Sequence, residues 1–128
     1  AHANGARTME AAAVAGVDSI EHGAYGDSDA LAAMAESGTV WVPTLSTVGN
    51  LRGKGRFDET AVRKILDSAL ENVSEFAEMG GLIAPGTDAG AWEVPHGSLT
   101  EYELLTEALG ARTDAILAQG IRIIQEKF

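Results

Sequence analysis

The 128-residue chain contains no cysteine, so it has neither a disulfide framework nor thiol chemistry. A reducing cytoplasm is the default expectation for such a chain. Cations are scarce: 9 Lys and Arg stand against 19 Asp and Glu, for a net charge of −10. Nucleic acids and anionic membranes both require a basic surface, so neither is an expected partner. No apolar run approaches the roughly 18 residues of a membrane span, and no signal-peptide pattern opens the chain. Low-complexity tracts, internal linkers and sequence repeats are also missing, and residues 1–128 therefore read as one domain. There are only three prolines, and Pro43 and Pro85 fall toward strand ends, where the ladder can lose a donor.

Glycine, by contrast, is abundant, at 15 residues, nearly twice ordinary usage. Most glycines stand singly between periodic segments, as stops and turns. An alanine-rich helix over 6–15 closes at Gly16, and Val17–Glu21 reads as a short strand ending at His22-Gly23. Asp27 or Ser28 caps a second helix, with Leu31, Met34 and Ala35 inward and Gly38 at its end. Thr39–Leu45 is a nearly continuous apolar run, the pattern of a strand covered on both faces.

Residues 46–57, with three glycines and three cations, read as a loop. After Asp58, the spacing of Val62, Ile65, Leu66, Ala69, Val73 and Phe76 predicts a long amphipathic helix, stopped by Gly80-Gly81. Leu82–Ala84 begins a third strand. Ser98 and Glu101 have capping-box spacing for a helix through Leu109. A weaker helix over 113–127 is expected to be interrupted at Gly120. Strands alternating with helices predict an α/β fold with a parallel sheet.

Ligands of such sheets bind at the carboxyl ends of the strands. His2, His22 and Asp88 all fall at that edge. Two imidazoles and a carboxylate suit zinc or a similar divalent ion. Each also has a plain structural use: a histidine after a strand can simply pack, and Thr87-Asp88 can cap a turn. His96 contacts substrate or belongs to an ordinary loop. Arg52, Lys54 and Arg56 clamp a substrate carboxylate or sit solvated in a mobile loop. Trp41 is expected in the core. Trp92 lines a pocket or packs.

The stretches His2-Ala3-Asn4-Gly5, Gly16-Val17-Asp18-Ser19-Ile20-Glu21-His22-Gly23, Val42-Pro43-Thr44-Leu45, Gly86-Thr87-Asp88-Ala89-Gly90 and Pro95-His96-Gly97, in that order, resemble the metal-dependent amidohydrolase superfamily. The similarity is to its imidazolonepropionase-like and Xaa-Pro dipeptidase-like branch, and it covers about residues 1–109. The resemblance implies the C-terminal part of a (β/α)8 barrel, with about three parallel strands and flanking helices. It implies that His2 and His22 are metal ligands after the fifth and sixth strands of the barrel. Asp88, after the eighth strand, would bind metal and take a proton from the attacking water. The implied reaction is hydrolysis of an amide, cyclic amide or peptide bond in a small molecule or dipeptide.

The departures count as well. No His-x-His pair, the family's motif after its first strand, occurs in this chain, and the ligand after the fourth strand is also absent. Residues 110–128 match the family poorly. These departures favour a fragment or truncated form, inactive on its own. An inactive half-barrel serving as an oligomeric structural or binding module is the alternative, and a half-barrel completed by a separate N-terminal partner is a third reading. No strand precedes His2 to seat it, and three strands leave two open edges. Open edges invite pairing, so self-association is expected.

Overall fold

The computed structural model describes all residues from Ala1 to Phe128. Its sheet has three parallel strands in the order β1 (Ser19–Glu21), β2 (Val40–Val42) and β3 (Leu82–Ile83). Helices α1 (Ala6–Val14), α2 (Ser28–Ser37), α3 (Leu45–Gly49) and α4 (Glu59–Glu78) alternate with them. Helices α5 (Thr100–Leu109) and α6 (Thr113–Lys127) follow β3. The expected α/β architecture with three parallel strands and flanking helices is therefore the one observed. No helix is long and apolar enough to cross a membrane.

The register explains the core. Ile20, Trp41 and Ile83 stand side by side across the three strands and are fully buried. Trp41 meets the edge of Phe76 from α4, with ring centroids 5.5 Å apart. Met9 from α1 and Leu31 and Met34 from α2 complete this layer. Residues of period 3.6 on the helices thus cover residues of period 2 on the strands. Asp27 is the cap of α2 and accepts the Ala30 N–H at 3.0 Å; Asp58 does the same for α4 with Ala61 at 2.7 Å. Gly38 ends α2 in the left-handed conformation.

Four local expectations are corrected. The strands are shorter than the apolar runs that mark them: only two or three residues of each are paired in register. Residues 45–49 form a helix instead of loop. Burial of Leu45, Ser46 and Gly49 stabilises that turn, as does the Glu101 carboxylate, which accepts the Ser46 N–H at 2.6 Å. Glu101 is consequently no part of a capping box: α5 starts at Thr100, and the Glu101 side chain turns into the core with only 2% of its surface exposed. Finally, α6 runs through Gly120 unbroken.

Gly120 has a packing role. The Ala84 N–H donates to Trp41 on β2, so the preceding Ile83 carbonyl points away from β2, toward the outer edge of the sheet. Gly120 lies directly against that carbonyl, where a Cβ would overlap its oxygen. The backbone of α6 thereby covers the β3 edge, a common way to protect an unpaired strand. Beyond it, Lys127 reaches Asp18, just before β1, at 2.8 Å.

Candidate active site

The opposite flank of the sheet seats His2. Ala1 and Ala3 exchange backbone hydrogen bonds with Glu21, and His2 pairs with Glu21 as an isolated parallel bridge. The expectation that nothing seats this histidine is therefore corrected: residues 1–3 lie beside β1 as an abbreviated fourth strand.

Each strand end then turns through a left-handed residue that is not glycine. His22 follows β1 at φ 76°, Thr44 follows β2 at φ 48°, and Asp88 follows β3 at φ 50°. Such a conformation costs on the order of 1–3 kcal/mol and persists only where surroundings impose it. The surroundings here are identifiable. The Trp41 indole N–H donates to the His22 carbonyl at 2.6 Å, and the His22 N–H donates to Val42 at 3.0 Å. The Ser46 hydroxyl donates to the Thr87 carbonyl at 2.9 Å, tying the turn after β2 to the turn before Asp88. Gly23 follows at φ 86°, and a Cβ there would come within 2.8 Å of Met9 and 3.0 Å of the Trp41 indole nitrogen. Only glycine satisfies both demands.

These turns bring the two imidazoles together, with ring centroids 4.3 Å apart. His22 is half-buried, and its Nδ1 shares a hydrogen bond of 2.8 Å with the Thr44 hydroxyl. That contact orients the ring and leaves Nε2 as its unengaged nitrogen, the usual service of a residue behind a ligand. Burial holds the His22 pKa below the ordinary histidine value, and the neighbouring His2 pushes it the same way; the Asp88 and Glu21 carboxylates oppose the shift. The shift favours the neutral imidazole, the form that metal coordination requires.

His2, His22 and Asp88 border one cavity of about 780 Å³. Asn4, which accepts the Ala24 N–H at 2.9 Å, borders it as well. Leu51, Phe57, Ile65 and Trp92 form an apolar wall. The donor types fit a divalent ion, but their number does not close a site: no three imidazole or carboxylate side chains are placed to hold one metal ion together.

The other expected residues are dispersed. Arg52 lies outside this cavity, in a separate depression with Glu59 and Arg63. His96 is exposed and does not border the cavity. Trp92 does, with 48% of its surface exposed. Thr44, Asn4 and Phe57 were not marked as site residues by sequence reasoning. Thr44 stood within a recognisable motif, but only the fold reveals that its hydroxyl meets His22.

No family model matches the chain. An uncharacterised protein of Mycobacterium tuberculosis is 32% identical over 125 residues, covering 86% of this chain and 34% of that protein. A crystal structure of a Xaa-Pro dipeptidase with bound methionine in its active site superposes with a TM-score of 0.76 at 30% identity. A prolidase complexed with N-methylphosphonate-L-proline gives a TM-score of 0.77 at 26% identity. Both structures cover 97% of this chain, which spans 33% and 32% of theirs. The chain thus spans about a third of the length of the relatives it matches.

Proposed function

We propose that this chain, a partial amidohydrolase-like domain, supplies the C-terminal share of the active site of a metal-dependent hydrolase of amide, cyclic amide or peptide bonds. The observation that carries this reading is the pair of imidazoles, 4.3 Å apart at adjacent strand ends, in the same cavity as Asp88. His2 and His22 would hold a divalent metal, zinc by the preference of its donor types, and Asp88 would join them as a further ligand only where groups outside this chain complete the set. Such an ion lowers the pKa of a bound water and polarises a carbonyl. Thr44 fixes the His22 ring. Asp88, held in the cavity lining by its left-handed turn, would be the carboxylate placed to accept a proton from a water there and to pass it to a leaving nitrogen.

A titration with cobalt(II), followed by visible absorption, tests the metal role of this chain. Cobalt absorption bands should appear with the chain and vanish in the His2→Ala/His22→Ala double variant. Bands unchanged in the variant, or no binding at all, would sink the metal reading. The absence of a third converging donor favours a second reading, an inactive half-barrel that serves as an oligomeric structural or binding module. Under either reading we expect the chain to self-associate. Sedimentation at rising concentration checks it, and a clean monomer throughout would refute it.

A further inference from the structure

The apolar wall of the cavity ends in an arrangement that metal chemistry does not require. Phe57 and Trp92 meet edge to face, with centroids 5.7 Å apart, and remain 43% and 48% exposed. The Arg56 guanidinium stands 5.3 Å from the Trp92 ring centroid and 5.7 Å from that of Phe57. Exposed aromatics ordinarily fold down onto a core. Here the backbone opposes that: Trp92 and Glu93 are both left-handed, at φ 49° and 61°. The Asn50 side chain also donates to the Trp92 carbonyl, joining the two loops that carry the rings. Strain is thus retained at a place where two aromatic rings border the cavity that holds His22 and Asp88.

We propose that Phe57 and Trp92, braced by Arg56, form a stacking subsite for a planar aromatic group carried by the amide substrate. The subsite rests on the hydrolase reading for its place beside the scissile bond, though not for its ability to bind. The chemistry supports this occupant. A cavity of about 780 Å³ falls within the range of small-molecule sites, and aromatic pairs favour edge-to-face and offset contacts with a third ring. Arg56 lies near both rings and holds them as a unit, so an incoming ring need not order them. The same cavity is lined by polar groups, His2, His22 and Asp88, and by the aromatic pair. The substrate that matches both is an amide with an aromatic substituent.

Calorimetric binding of two metal-independent probes to the full chain tests the subsite. N-benzoylglycine should bind at least about tenfold more tightly than N-acetylglycine, a difference near 1.4 kcal/mol. Trp92→Ala and Phe57→Ala should each reduce that ratio to below about threefold, while circular dichroism stays unchanged. Equal affinity of the parent chain for both probes, or a preference that survives both substitutions, would overturn the subsite. Hydrolysis plays no part in the measurement. An aromatic preference in a chain that fails the cobalt test would therefore keep the subsite and reject the metal-hydrolase reading.

Discussion

Gly120→Ala should lower the melting temperature by roughly 10 °C, although alanine is the better helix former by about 1 kcal/mol. The added methyl would overlap the Ile83 carbonyl oxygen and come within 2.5 Å of the Ile83 carbonyl carbon and 3.1 Å of the Ala84 nitrogen. These are backbone atoms of a paired strand, so they cannot swing aside as a side chain would. Overpacking of this kind costs on the order of 1–3 kcal/mol, and backbone contact lies at the upper end. To relieve it α6 must lift, which uncovers Leu117 and the β3 edge together. The exposed neighbour substitution Gln119→Ala is the control and should be neutral or slightly stabilising. Thermal unfolding by circular dichroism checks both. Gly120→Ala melting at or above the parent temperature would refute the close contact.

Glu101 should make the fold less stable as pH rises. One carboxylate oxygen accepts the Ser46 N–H, while the other is buried with no partner. Burial raises its pKa above the ordinary carboxyl value, and the hydrogen bonds from Ser46 and Leu45 only partly oppose it. The folded state therefore holds the proton more tightly than the unfolded chain. The stabilising contribution is fully present below the unfolded carboxyl value and is lost as pH climbs through the raised folded one. Urea unfolding at pH 4.5 and pH 8 should show that loss. Glu101→Gln, which keeps an acceptor for Ser46 but cannot ionise, should flatten this part of the pH dependence. Glu101→Ala should cost about 2–4 kcal/mol at pH 4.5, because it leaves a void and an orphaned Ser46 N–H. A pH dependence identical in parent and Glu101→Gln would rule out the buried carboxyl as its source.

Much of the fold was legible in the sequence, for a physical reason. Val62, Leu66, Ala69, Val73 and Phe76 are buried as their spacing demands, and glycine marks the helix ends at Gly38 and Gly80. What escaped was decided by contacts distant in sequence. Residues 45–49 have weak intrinsic helical preference and become helical through Glu101, more than fifty residues away. Gly120 resembles a helix breaker until the Ile83 carbonyl is placed beside it. The site divides in the same way. His2, His22 and Asp88 could be named from motif and strand position, and all three border one cavity. Arg52 and Arg56 look equivalent in sequence, yet only Arg56 reaches the aromatic pair, because loop geometry separates residues four apart.

The left-handed turn at residue 88 has a consequence for which acids can stand there. Aspartate and asparagine tolerate that conformation far better than glutamate, because a short polar side chain avoids the crowding that a longer chain meets. At φ 50° the choice between the two acids is therefore made by the main chain before any question of reach arises. A glutamate, the nearest chemical substitute, keeps the charge and forfeits the turn. An asparagine keeps the turn and forfeits the negative charge. Position 88 thus separates conformational from chemical requirement, and a library of single replacements at that residue would read out each one independently.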